Sequence, residues 1–312
     1  MNTNLKIYIA GHRGLVGSAI KNEFENRGYT NIVFKTHSEL DLTDSQKVKE
    51  FFEKEKPDWV VQAAAKVGGI YGNNTYPVEF MLENLKIQNN IIENSYKNNV
   101  KKLLFLGSSC IYPRMTPQPM KEEHLLSGYL EKTNEGYALA KICGIKLCNY
   151  YNREYGTNYM SVMPCNLYGL NDNYHPQNAH VIPMLIRRFH EAKLAGSKEV
   201  EVWGTGTPRR EFLYAGDLAK AVVFLMENKD AKDVGEFINI GSGVDLTIRE
   251  IAGMVKDVVG FEGDLVFDPS KPDGTPLKLM DVSKINALGW KAEIALKDGL
   301  KLAYDDFKKR FN

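Results

Sequence analysis

The first half of the chain alternates short apolar runs with longer stretches whose apolar residues recur at helical spacing. Leu5 to Ala10 reads as a β-strand, and an amphipathic helix follows to about Arg27. Ile32 to Phe34, Trp59 to Gln62 and Lys102 to Gly107 are further strands, the last with the continuous apolar character of a parallel strand buried on both faces. Asp41 to Asp44 offers a cap before a helix, and another helix lies around Asn84 to Tyr96. Tyr159 to Pro164 adds a strand, after which the periodicity loosens. Leu218 to Met226 then reads as a helix, Glu236 to Ile240 as a strand returning to the first sheet, and Thr247 to Val259 and Leu296 to Phe307 as closing helices. Strands alternating with helices predict an α/β fold: a doubly wound parallel (Rossmann) sheet with a smaller α/β domain.

Composition narrows the function classes. With 312 residues, 43% hydrophobic and 25% charged, the chain can bury a sizeable core in one large or two intimately packed domains. Its 40 basic and 39 acidic residues nearly balance, so neither a nucleic-acid tail nor a membrane-surface patch is expected, and any anionic ligand must be met by local donors. No apolar run approaches a membrane span and no basic-then-apolar leader opens the sequence, which predicts a cytoplasmic protein. Cys110, Cys143, Cys148 and Cys165 show no Cys-x-x-Cys pair or His-rich spacing, so no disulfide framework and no metal site are expected; the last three read as packing residues.

Three segments carry candidate chemistry. Gly11, Gly14 and Gly17 fall between the first strand and its helix, where they would allow a tight turn, backbone approach to a pyrophosphate, and close helix packing. Tyr137 and Lys141 lie four residues apart in a helix-forming segment, so both side chains project from one face. The ammonium beside the phenol is expected to lower its pKa and make Tyr137 a proton donor and acceptor near neutrality. Ser108 follows the carboxyl end of a buried strand and completes a Ser-Tyr-Lys set. At the end of the second strand, Lys35 and His37, with the earlier Arg13, suit a 2′-phosphate and so favour NADP(H) over NAD(H). Asp41 and Leu42 could line an adenine pocket, and the small Ala63, Ala64 and Ala65 let a flat ligand lie against the backbone.

These glycines, Ser108 and the Tyr137/Lys141 pair resemble the extended short-chain dehydrogenase/reductase family over essentially the whole chain. The runs Ala10 to Ala19, Ala63 to Gly69, Asn73 to Pro77, Gly107 to Pro113, Ser161 to Pro164, Asn166 to Gly169, His180 to Pro183 and Lys271 to Pro276 narrow the likeness to the GDP-L-fucose synthase family. That family epimerises C3 and C5 of GDP-4-keto-6-deoxy-D-mannose and reduces C4 with NADPH. The resemblance implies a proton-transfer pair at Cys110 and His180, a thiolate and an imidazolium that both titrate near neutrality. It places Leu15, Val16, Pro164, Asn166, Leu167 and His180 against the cofactor, together with Tyr137 and Lys141. Ser108, Ser109, Cys110 and Asn166 would meet the sugar, and Arg188, Trp203, Arg210 and Lys278 the nucleotide. It also implies a homodimer formed through the helix carrying Tyr137 and the segment after Leu82. The NADP-binding domain would comprise 1–165 with about 211–241 returning, and the GDP-sugar domain 166–210 and 242–312.

The chain departs from the family at Lys132, where Pro is usual, at Leu170 to Asn173, where Pro-His would follow Gly169, and at His37, where Arg is usual. The alternative reading is a C4 reductase of a related GDP-4-keto sugar, such as a heptose, without epimerase activity. A non-catalytic dinucleotide binder on the same fold has no need of Ser108, Tyr137 and Lys141.

Overall fold

The computed structural model describes residues 3–176, 179–271 and 273–311, so Pro272 within the Lys271 to Pro276 run lies outside the described residues. The chain runs β1 (Ile7–Ala10), α1 (Leu15–Asn26), β2 (Ile32–Val33), α2 (Ser45–Glu55), β3 (Trp59–Gln62), α3 (Ile70–Thr75), α4 (Pro77–Lys97), β4 (Lys102–Leu106), α5 (Glu135–Tyr155) and β5 (Tyr159–Pro164). It continues through β6 (Asn166–Tyr168), α6 (Val181–Leu194), β7 (Glu199–Trp203), β8 (Arg209–Tyr214), α7 (Ala215–Asn228), α8 (Ala231–Val234) and β9 (Ile238–Ile240). The remainder is β10 (Asp245–Thr247), α9 (Ile248–Val259), β11 (Asp264–Asp268), β12 (Leu277–Lys278), α10 (Ser283–Ala287) and α11 (Leu296–Phe311).

Six strands form one parallel sheet in the order β2-β1-β3-β4-β5-β9. From β1 the chain moves out to β2 and then crosses back to β3 on the other side of β1. That reversal opens a crevice beyond the carboxyl ends of β1 and β3, where Gly11 and Ala63 stand. Every residue of β1, β3 and β5 is buried, as strands covered by helices on both faces require. The doubly wound α/β fold is therefore present, and the returning strand pairs Ile238 to Ile240 with Val162 to Pro164.

The differences from the sequence reading are local. The helix expected around Asn84 begins at Pro77, because proline in a first helical turn gives up only an N–H that has no helical partner. Beyond Pro164 the structure finds strands where periodicity was loose: β10, β8 and β12 with β6 beside β8, and β7 with β11. Three of these six strands, β6, β10 and β12, have only two or three residues, too few for a period-2 pattern, and the strands' partners lie far away in sequence. Helices α6, α9 and α11 pack a second apolar core around Ile186, Phe189, Val255 and Ala303.

Candidate active site

The glycine turn has the form its spacing implies. Gly11 adopts φ 87°, a left-handed backbone that favours glycine, and a Cβ there would lie 2.7 Å from the Ala64 nitrogen. A Cβ on Gly17 would meet the Gly11 carbonyl at 2.1 Å, so α1 can close on β1 only over hydrogen. Gly14 caps α1 with no side chain bonded to its first N–H groups, and Leu15 and Val16 form the opening turn. Free N–H groups at the positive end of a twelve-residue helix fit a dinucleotide pyrophosphate. Ala63 and Ala64 back the turn at Gly11, and Ala65 follows them in the chain.

Two cations stand at the end of β2, His37 exposed and Lys35 half-buried. Lys35 Nζ lies 4.0 Å from Glu39, His37 Nδ1 lies 4.0 Å from Asp41, and Arg13 is exposed on the glycine turn. Asp41 accepts the Thr43 N–H and hydroxyl at 2.9 and 2.8 Å, bonds that hold its pKa below the usual range. The Leu42 carbonyl accepts Asn90 Nδ2 at 2.8 Å.

The Ser-Tyr-Lys set assembles beyond the carboxyl end of β4. Ser108 Oγ accepts the Cys110 N–H at 3.4 Å, and its hydroxyl is near enough to the Tyr137 phenol and the Cys110 thiol to oppose the rise in pKa of both. One turn along α5, Lys141 Nζ lies 5.8 Å from the Tyr137 ring centroid and donates to the Leu106 carbonyl at 2.8 Å. Burial, with Cys110 adding to it, raises the Tyr137 pKa. The expected lowering by Lys141 does not occur: burial sets the shift, and what opposes it is the Ser108 hydroxyl and not the lysine charge. Burial takes Lys141 itself down to about 8, so at neutral pH it remains largely an ammonium beside a neutral phenol.

Cys110 and His180 differ from expectation in the same way. Burial pushes the Cys110 thiol up, opposed by the Ser108 hydrogen bond and the Lys278 and Lys141 charges. His180, the N-cap of α6, keeps exposed surface, yet the surrounding protein costs its charged ring hydration and lowers its pKa. The two rest as thiol and neutral imidazole rather than thiolate and imidazolium. Cys110 shares a pocket with Arg114, Gln118, Glu131, Thr275 and Lys278; His180 is not in its lining. Ser109 is buried in the turn after Ser108. Cys148 and Cys165 are buried as packing residues, but Cys143 is exposed on α5.

The later residues assigned to nucleotide and sugar come from five elements. On β6, Asn166 Nδ2 donates to the Glu211 carbonyl at 2.9 Å, with Leu167 beside it and Pro164 closing β5. Arg188 of α6 lies 5.4 Å from the Trp203 ring and donates to the Glu201 carbonyl at 3.4 Å. Lys278 of β12 is the register partner of Arg210 on β8, and burial lowers the pKa of both. Arg187 is drawn elsewhere, to Glu191 at 2.6 Å and the Tyr174 carbonyl at 3.0 Å. Sequence reading missed the Leu106 carbonyl that receives Lys141, since a backbone acceptor carries no residue-type signal. It also missed the Arg114–Glu131 pair at 3.4 Å in the Cys110 pocket, although Glu131 opens the run in which Lys132 departs from the family.

Residues 7–241 match the NAD dependent epimerase/dehydratase family. GDP-L-fucose synthase 1 of Arabidopsis thaliana is 58% identical over 97% of this chain and 93% of its own length. GDP-L-fucose synthase of Escherichia coli K12 is 54% identical over 97% of this chain and 96% of its own. A solved GDP-mannoheptose C4 reductase of Campylobacter jejuni, with NADP bound, superposes with a TM-score of 0.92 at 46% identity over 99% of both chains. The chain belongs to the NAD dependent epimerase/dehydratase family and, within it, is a relative of the GDP-L-fucose synthases.

Proposed function

We propose that this chain is an NADPH-dependent epimerase/reductase that converts a GDP-4-keto-6-deoxy sugar to GDP-L-fucose. The observation that carries the reading is the Ser108, Tyr137 and Lys141 set next to Cys110, in a chain 54% identical over 97% of its length to a GDP-L-fucose synthase. When bound, the cofactor supplies the hydride that reduces C4. Gly11, Gly14 and Gly17 hold its pyrophosphate, Arg13, Lys35 and His37 its 2′-phosphate, and Asp41 and Leu42 its adenine end.

The protein residues handle protons. Ser108 and Tyr137 hydrogen-bond the C4 carbonyl oxygen, which stabilises the enolate formed when a proton leaves C3 or C5. Cys110 first gives up its thiol proton and His180 first gains one; the thiolate, favoured against burial by the Lys141 and Lys278 charges, then takes a proton from one face and the imidazolium returns one to the other. In the reduction Tyr137, neutral at rest, gives its proton to O4. Lys141 then compensates the charge left on the phenol. Arg188, Arg210 and Lys278 meet the diphosphate, Trp203 the guanine, and Asn166 and Ser109 the sugar.

A second reading, C4 reduction of a related GDP-4-keto heptose without epimerisation, draws support from the likeness to the heptose reductase and from Lys132 and Leu170 to Asn173. One experiment separates them: incubation with a GDP-4-keto-6-deoxy sugar in deuterated water without NADPH. The first reading expects deuterium at C3 and C5; reduction on later NADPH addition with no prior exchange leaves only the second.

We assign the chain to two domains, 1–165 with about 211–241 and 166–210 with 242–312, and to a homodimer. Exposed Val78 and Leu82 on α4 and Leu139, Tyr150 and Tyr155 on α5 support that pairing. A cytoplasmic location completes the proposal; among the described residues no helix is long and apolar enough to cross a membrane.

A further inference from the structure

One carboxylate ties together the segments that carry the nucleotide cations. Glu211 follows Arg210 on β8 and is 1% exposed. Its Oε1 accepts the Gly243 N–H at 2.7 Å and the Ser242 hydroxyl at 3.5 Å, from the turn after β9. Its Oε2 accepts the Met280 N–H at 2.8 Å, just past Lys278. Gly241 leaves it room, since a Cβ there would fall 2.1 Å from Oε1. On its other side the 279–280 strap is held by Gln118, whose Oε1 accepts the Leu279 N–H at 2.9 Å. β12 pairs with β8 only at Leu277↔Arg209 and Lys278↔Arg210, so Glu211 continues the attachment where that ladder stops.

Among the described residues, the hydrogen-bond partners of this buried carboxylate are backbone N–H groups and one hydroxyl, with no ammonium or guanidinium. Desolvating an ion without a countercharge is costly, and an apolar side chain would pack more cheaply. We infer that Glu211 is a positioning residue for the GDP-sugar diphosphate: its ionised carboxylate fixes the strap so that Lys278 stands beside Arg210 and against the Cys110 pocket. The inference rests on the GDP-sugar reading of the cleft.

The sign of its pH dependence sets it apart from its neighbours. Burial pushes the Glu211 carboxyl up to about 7, opposed by the Met280, Gly243 and Ser242 bonds. Protonation turns one oxygen into a donor facing a donor, which releases one strap. The groups facing it are the Cys165 thiol, Ser242, and Asp245 across β10, which is paired with Arg209. Loss of the Lys278 charge would weaken anion binding as pH rises, and charging His180 would strengthen it as pH falls. Both run opposite to Glu211.

The test is calorimetric binding of GDP-mannose, whose diphosphate diester does not titrate in this range. Wild-type affinity is expected to fall as pH drops from about 8 to 6, with its midpoint near 7. Glu211→Gln keeps the volume but only one acceptor oxygen, so it should bind about tenfold more weakly at high pH and lose the pH slope. Its KM for the keto sugar should rise while kcat stays within about threefold and NADPH affinity is kept. Wild-type affinity and slope in Glu211→Gln overturn the inference. If that variant does not fold, a flat or inverted wild-type profile does so alone. A wild type that binds NADPH but GDP-mannose at no pH refutes the GDP-sugar reading, and this inference with it.

Discussion

The centre beyond β4 and the rim beyond β2 are built on opposite terms. Ser108, Cys110, Tyr137 and Lys141 sit in packed protein, where burial is the largest influence on the Cys110, Tyr137 and Lys141 proton affinities. Arg13 and His37 are exposed and Lys35 half-buried, and the ion pairs of Lys35 and His37 are no closer than 4.0 Å. In the centre water cannot replace a lost group, so deleting one atom should change rates by orders of magnitude. At the rim water and the remaining charges share the load, so each loss should be graded.

The sharpest test is at the centre. Tyr137→Phe, which removes one oxygen, should lower kcat for keto-sugar reduction by about 10²–10⁴-fold with NADPH affinity nearly intact. Steady-state absorbance and cofactor titration measure the two; near wild-type turnover would strip Tyr137 of its role. Next in size, Cys110→Ser should slow solvent-deuterium uptake at C3 and C5 by about a hundredfold or more, because a hydroxyl is a far weaker base than a thiolate. The same variant should still reduce an already epimerised keto sugar, and loss of both activities would break the division of labour.

Lys141 extends the comparison to stability. Its folded pKa of about 8 lies below the ordinary 10.5, so the native lysine sheds its proton first as pH rises. The cost of burying the ammonium is full below about 8 and disappears toward 10.5. Wild type should therefore gain up to roughly 3 kcal/mol relative to Lys141→Met across that window. Urea unfolding at several pH values reads it; a constant difference would mean that burial does not govern this lysine. The smallest effect belongs to the rim: replacing Lys35 and His37 by alanine should weaken NADPH about three- to tenfold more than NADH. Equal losses for the two cofactors would remove the 2′-phosphate from this corner.

This contrast also explains what could be read in advance. The glycine turn and the Tyr137/Lys141 pair are local: their spacing along one element already determines which groups meet, so both were legible. The direction of the Tyr137 shift was not, because desolvation comes from the core that many distant segments assemble around this residue and not from the spacing along α5. Arg210 and Lys278 meet because β12, two residues long, pairs with β8 across the intervening chain, and so short a strand leaves no period to detect. Glu211 was invisible for a related reason, since its partners are backbone N–H groups of two distant turns.

The late arrival of β9 bears on how the chain is made. β5 is complete at Pro164, but its outer neighbour, Ile238 to Ile240, comes more than seventy residues later. During synthesis from the N-terminus the nascent sheet must therefore wait with β5 as an open edge, a row of unpaired N–H and C=O groups of the kind that invites pairing with another chain. A fragment ending at 165 keeps that edge permanently, so it should need a chaperone or precipitate when expressed alone, whereas chains released after residue 241 can close the sheet themselves.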